Sequence, residues 1–133
     1  MEKTLVILKP DAVKRKLIGE IITRFENKDL SIPHMKVATM SREQAVEHYG
    51  HVSDLPIFND MIDYMTSGIC IFMIIEGYNS ISVVRNLIGS TNCFQALPGT
   101  IRGDFGLHKF QNLIHGSDSV ESSNIEIKRF FEL

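Results

Sequence analysis

The apolar positions of this chain follow two different periods, and each period predicts its own kind of element. Leu5-Val6-Ile7-Leu8 and Ile69-Cys70-Ile71-Phe72-Met73-Ile74-Ile75 are unbroken apolar runs of strand length, the pattern of buried strands. Pro10 stops the first run, and Ile18, Ile21, Ile22 and Phe25 then recur at helical spacing. A second strand is predicted around Met35-Lys36-Val37-Ala38-Thr39-Met40. Ser41-Arg42-Glu43-Gln44 follows with the spacing of a capping box, in front of a helix carrying Ala45, Val46 and His48. Pro56 to Met65 reads as another helix ahead of the second apolar run. Beyond that run, Asn79 or Ser80 can cap a helix through Ile81, Val84 and Ile88, with Gly89 placed to end it. The short apolar run Leu113-Ile114 precedes a last helix, which Asp118 or Ser119 can cap and which carries Val120, Ile125 and Ile127.

This order predicts helices layered on a mainly antiparallel sheet, although element order alone permits other α+β arrangements. The segment Ser90 to Gln111 is long for a connection and holds Pro98, Gly99, Gly103 and Gly106; its arginine and aspartate favour a functional loop. A chain of 133 residues, 44% hydrophobic and 23% charged, suits one domain over residues 1–133. A formal charge of −2 with no basic run removes any general attraction to nucleic acid or anionic membrane, so charge matters here only locally. Cys70 lies in an apolar strand and Cys93 in a loop, so their pairing is not implied, and two separated cysteines suggest a reducing compartment. With no leader pattern and no apolar stretch near the ~20 residues of a membrane span, a cytoplasmic location is expected.

Candidate chemistry gathers in Lys9-Pro10-Asp11, in Pro98-Gly99-Thr100-Ile101-Arg102-Gly103-Asp104 and in Asn112-Leu113-Ile114-His115-Gly116-Ser117-Asp118-Ser119. His115 ends an apolar run just ahead of a helix start, where unpaired N–H groups favour anions, so a nucleophile and an anion site are expected side by side. Imidazole is nucleophilic at neutral pH and leaves readily, as a phosphoryl carrier must. Neither GxxxxGK[ST] nor GxGxxG occurs, so phosphate recognition is expected from lysine and arginine side chains. His48 and His51 are three apart, but no cysteine or carboxylate arrangement completes a zinc site with them.

Together these motifs resemble the nucleoside diphosphate kinase family. The resemblance runs from Thr4-Leu5-Val6-Ile7-Leu8-Lys9-Pro10-Asp11 through His48-Tyr49 and Arg85 to Asn112 through Ser122. It implies a ferredoxin-like sandwich with a four-stranded sheet. It also implies ping-pong transfer of the terminal phosphate of a nucleoside triphosphate, usually ATP, to nucleoside diphosphates, deoxy forms included. His115 would carry the phosphoryl group, Glu126 would orient its imidazole, and Ser117 would be the associated hydroxyl. Lys9, Arg85, Arg102 and Thr91 would meet phosphate oxygens, Tyr49 would lie near the phosphates and nucleophile, and Asn112 would contact the sugar. Mg²⁺ would be held mainly through the nucleotide phosphates, with no dedicated protein ligands. Without the resemblance, Glu126 reads as an exposed helix acid paired with Lys128 or Arg129, and Arg85 as a solvated residue.

The chain also departs from the family pattern. Ile57 stands where an aromatic residue often stacks on the base, with Phe58 one position beyond, so weaker nucleotide binding is expected. Cys93 replaces a frequent proline in the loop Asn92-Cys93-Phe94-Gln95-Ala96-Leu97, a loop that joins subunits in hexameric relatives. The C-terminal stretch Phe130-Phe131-Glu132-Leu133 is shorter than many relatives' terminal arm. The expected assembly is therefore a homo-oligomer with a dimer as its minimum and a tetramer or hexamer as larger alternatives. No membrane and no specific nucleic acid are expected among its partners.

Overall fold

The two continuous apolar runs become the two central strands of a sheet. The computed structural model describes residues 1–132. Its elements are β1 (Glu2–Leu8), α1 (Pro10–Lys14), α2 (Ile18–Asn27), β2 (Ser31–Thr39), α3 (Arg42–His48), a 3-10 turn (Gly50–Val52), α4 (Phe58–Met65), β3 (Ile69–Gly77), α5 (Ser80–Ile88), α6 (Ile101–Phe105), β4 (Ile114–Gly116) and α7 (Val120–Phe130). The four strands lie in the order β2-β3-β1-β4, and every neighbouring pair is antiparallel. That is the split βαβ arrangement of the ferredoxin-like sandwich expected from the resemblance.

Antiparallel sheets commonly leave one face to water, and alternation then betrays them; here both faces are covered, so β1 and β3 read as solid apolar runs. Val6 and Leu8 face one core with Ile71, Met73, Ile75, Ile21 and Phe25. Leu5 and Ile7 face the other with Phe72, Ile74, Met61, Ile62 and Phe130. The helices with the first core are α1, α2, α5 and α6, and those with the second are α3, α4 and α7.

Local chemistry sets the element ends. Ser41 and Gln44 form the predicted capping box reciprocally. Gly89 takes φ +90 after α5, a conformation suited to glycine, and there its carbonyl accepts from Arg102 Nη1 at 3.3 Å. Ser119 rather than Asp118 caps α7, accepting from Ser122 N–H at 3.0 Å. Asn79 holds the N-cap position of α5 without a side-chain bond; the cap comes from Glu2 Oε1, which accepts from Ile81 N–H at 3.0 Å.

Three boundaries differ from the sequence reading. The second strand starts at Ser31, because Pro33 lies on an edge strand at a register shift between Ser31 and His34, where a missing N–H is tolerated. Pro10 both ends β1 and opens α1, where its fixed φ suits the first helical position. The long connection after α5 contains α6, capped by Thr100 Oγ1 accepting from Gly103 N–H at 3.0 Å, so Arg102 projects from a helix rather than from a turn.

Candidate active site

Pairing of β4 with β1 brings the two ends of the chain together. His115 lies opposite Ile7, and just past β1 the Lys9 N–H donates to Leu113 O at 2.8 Å. Ser117 extends the pairing: its N–H donates to Leu5 O at 3.1 Å and its hydroxyl accepts from Leu5 N–H at 3.2 Å. α7 is pinned across β1 by Ser123 Oγ, which donates to Lys3 O at 2.6 Å. That anchor fixes the helix so that Glu126, nearly a turn further on, meets the histidine.

His115 Nε2–H donates to Glu126 Oε1 at 2.9 Å, and Ser117 Oγ donates to the same oxygen at 2.6 Å. Burial alone would raise the Glu126 pKa, but the hydrogen bond and charge of His115, with Ser117 and Arg129, reverse this and hold the carboxylate below its usual range. With Nε2 facing the carboxylate, Nδ1 keeps its lone pair and is the nitrogen free to attack. α7 therefore reaches His115 through Glu126, nearly two turns from the helix N-terminus at Val120, rather than through the end amides that the sequence suggested as an anion site.

His48 is the neighbour that sequence reasoning did not assign. Its ring stands edge-on to His115, with centroids 4.6 Å apart, and its Nδ1 accepts from Arg129 Nη1 at 2.9 Å. Burial, then the His115 and Arg129 charges, push its pKa far below the ordinary histidine value, so it stays neutral. The available signal was a histidine on the apolar face of α3, next to Tyr49. Among the described residues, His48, His115 and Glu126 form a group whose ligand atoms lie within 4.8 Å of one another. Arg129 already occupies the His48 lone pair that a metal needs, so the group reads as a hydrogen-bond network. His51 is exposed and takes no part in it.

The cationic side chains occupy distinct places. Lys9 is buried, donates from Nζ to Asn112 Oδ1 at 2.7 Å, and is lowered to about pKa 8 by burial and by Arg102. Arg102 is buried too and donates to three backbone oxygens, Asn112 O (3.2 Å), Ile114 O (2.5 Å) and Gly89 O (3.3 Å). Burial brings its pKa down to about 10, with Arg85 adding to the effect, and it remains charged at neutral pH. Arg85 is largely exposed and spends one donor on Gly116 O at 3.1 Å. Each cation retains N–H groups beyond those bonds, free for an anion.

Tyr49 is buried and its hydroxyl has no hydrogen-bond partner, an orphan polar atom that a ligand would satisfy. Burial, then nearby charges including Glu126, raises its pKa. Asn112 Nδ2 donates to Thr91 O at 3.2 Å, while Thr91 itself is exposed. Ile57, at the N-cap of α4, is exposed, whereas Phe58 packs against the second core. The core therefore takes the aromatic and leaves the aliphatic side chain outside. His115, Glu126 and Ser117 thus meet directly; Lys9, Arg102 and Asn112 form a second contiguous group; Arg85 joins through Gly116.

The sequence model described as nucleoside diphosphate kinase matches residues 2–133. The chain belongs to the nucleoside diphosphate kinase family. A nucleoside diphosphate kinase of Acetivibrio thermocellus is 61% identical over 131 residues, covering 98% of this chain and 96% of the relative. That of Methanocaldococcus jannaschii is 54% identical over 131 residues, covering 98% and 94%. Two solved structures superpose closely. The apo enzyme of Encephalitozoon cuniculi gives a TM-score of 0.97 at 45% identity, covering 98% of this chain and 89% of that one. The halophilic enzyme of Halobacterium salinarum, in complex with CDP, gives 0.96 at 42%, covering 99% and 88%.

As a nucleoside diphosphate kinase family member the chain is a phosphotransferase. The donors around His115 suit anions more than hard cations. Mg²⁺ takes oxygen ligands in octahedral array, and the one metal-like group among the described residues has two histidines and a carboxylate already bonded to His115 and Ser117. Such a site fits a magnesium ion carried by nucleotide phosphates. Among the described residues no helix is long and apolar enough to cross a membrane.

Proposed function

We propose that this chain transfers the terminal phosphate of a nucleoside triphosphate to a nucleoside diphosphate through a phosphohistidine on Nδ1 of His115. The observation that carries this reading is the Glu126 carboxylate on Nε2, which leaves Nδ1 as the only ring nitrogen with a free lone pair. Nδ1 attacks the terminal phosphorus, an N–P bond forms, and the P–O bond to the leaving diphosphate breaks. Positive charge develops on the imidazole in that step, and Glu126, steadied by Ser117, stabilises it. A second diphosphate then attacks with its terminal oxygen and the N–P bond breaks, restoring His115.

Lys9, Arg85 and Arg102 neutralise the phosphate oxygens, and Tyr49, with its unpartnered hydroxyl, supplies a further donor. Asn112 and Thr91 hold the sugar and phosphate. Bound with the nucleotide, Mg²⁺ would neutralise charge between the phosphates. ATP serves as the usual donor, and deoxy and ribo diphosphates serve as acceptors, because apolar contact through the exposed Ile57 offers no base-edge hydrogen bonds with which to discriminate. Initial rates with both substrates varied test the reading: parallel double-reciprocal lines are expected of a shuttle, and intersecting lines would mean direct transfer.

Phosphate binding favours the charged form of Lys9, so diphosphate binding takes up a proton where free Lys9 is partly neutral. Affinity should fall as pH rises through about 8, approaching about tenfold per unit at its steepest, and calorimetry should find the dependence absent in Lys9→Arg. A flat affinity between neutral and alkaline pH in the wild type would refute it. Ile57→Phe should tighten nucleotide binding by about 1 kcal/mol or more, read by the same titration, since an aromatic face replaces an exposed aliphatic one.

The assembly we propose is at least a dimer. Met35 and Val37 are exposed on β2, an edge strand, which is an arrangement that a second chain can cover. Cys93 is buried against Gly106, while Phe94 and Leu97 beside it are exposed. Leu133, in the C-terminal stretch, lies outside the described residues. A cytoplasmic location accords with two free cysteines.

A further inference from the structure

We propose that Asp11 is a positioning residue which, braced by Tyr64, holds a strained turn at Leu113 and through it the geometry of Asn112 and His115. Leu113 is fully buried at φ +76, and Ile114 N–H donates to Asn112 O at 2.9 Å across it. A positive φ with an i to i+2 bond is a γ-turn of the rare, strained hand, and a branched aliphatic residue gains nothing locally by adopting it. Such a conformation persists only when its surroundings over-determine it, and it then points to a functional constraint.

The surroundings do over-determine it. Asn112 O accepts from Arg102 Nε, Leu113 O from Lys9 N–H, and Ile114 O from Arg102 Nη2. The Leu113 N–H has one partner, Asp11 Oδ2, at 3.1 Å. The other carboxylate oxygen, Asp11 Oδ1, accepts from the Tyr64 hydroxyl, and that hydroxyl in turn accepts from Asp11 N–H at 3.0 Å. Burial and the Asp11 carboxylate keep the Tyr64 phenol protonated, as this donation requires. Asp11 and Tyr64 touch none of the reacting groups, yet they tie α1 and α4 to the residue between Asn112 and the strand that begins at Ile114 and presents His115.

If the turn relaxes, the peptide planes on both sides of Leu113 rotate. Asn112 Oδ1 then leaves Lys9 Nζ, and β4 enters its pairing with β1 at a shifted angle. A displacement of about 1 Å at a reacting group costs on the order of 10²-fold in rate. This inference rests on the proposed role of His115, and the test separates the two. Phosphoenzyme formation is followed in a single turnover with ATP and Mg²⁺ in wild type, Asp11→Ala, Asp11→Asn and Tyr64→Phe, at temperatures well below each variant's melting midpoint. Diphosphate affinity is measured alongside by calorimetry.

Asp11→Ala should slow phosphoenzyme formation by about 10²-fold with a much smaller change in affinity. Asp11→Asn should recover most of that loss, because its amide oxygen can still accept from Leu113 N–H. Tyr64→Phe should fall between Asp11→Ala and wild type. Rates within about threefold of wild type in both Asp11→Ala and Tyr64→Phe, or an asparagine variant no faster than the alanine one, would overturn the inference. Should Asp11→Ala fail to fold, Tyr64→Phe decides: a rate more than about threefold below wild type supports the inference, and one within about threefold overturns it. Absence of phosphoenzyme in the wild type itself would instead strike the role of His115.

Discussion

Replacing His115 with alanine is expected to lower turnover by at least about 10⁴-fold while leaving the fold intact, because the step that stores the phosphoryl group then has no acceptor. Stability should change little. His115 is only partly buried, its backbone pairing with Ile7 does not depend on the ring, and Glu126 keeps the Ser117 hydroxyl when the imidazole is gone. A steady-state assay together with a thermal melt checks both halves of the statement. A variant that is inactive because it has unfolded would show a large drop in midpoint, whereas loss of the nucleophile should not.

The largest expected stability effect belongs to Arg102→Ala. The buried guanidinium donates to carbonyls from two segments: Gly89 after α5, and both ends of the turn at Asn112 and Ile114. Alanine leaves those oxygens without that donor and opens a void where a long side chain was, which should cost about 3–5 kcal/mol, read from the midpoint of urea unfolding. Activity should fall with it, since one residue both holds the turn ahead of His115 and supplies charge for phosphate. Arg102→Lys keeps a charge but loses the planar fork that reaches separate carbonyls, so it should restore only part of the stability.

Sequence period was enough to place β1, α2, α3, β3, α5 and α7, because long apolar runs and helical stripes report burial directly. It understated β2, whose Pro33 looks like a boundary until the strand is known to lie at an edge. It missed α1 and α6, which are single short turns set by Pro10 and by Thr100, and which bury too few residues to show a period. For the site, the resemblance supplied the positions of Lys9, Arg102, His115 and Glu126. Residue-by-residue reasoning would have left Glu126 as a helix-face acid, and only the fold shows its oxygen against His115 rather than against Lys128.

Contacts between distant segments were the part that could not be read. His48 against His115, Arg129 on His48, and Asp11 on Leu113 each join elements whose separation along the chain carries no signal. Which of Ile57 and Phe58 faces outward was a question of register, and Phe58 packs against the second core while Ile57 is exposed. A chain that buries the aromatic and exposes the aliphatic has put its ring to work for stability.

The proposed shuttle places a phosphoryl group on His115 between two half-reactions. Wild-type protein incubated with Mg²⁺ and ATP labelled in its terminal phosphate, then freed of nucleotide, should carry label that is lost in acid and is absent from His115→Ala. Addition of GDP should move that label quantitatively onto GTP. Label that survives acid, as on the Ser117 hydroxyl, or label that GDP does not collect, would rule out a phosphohistidine shuttle at His115.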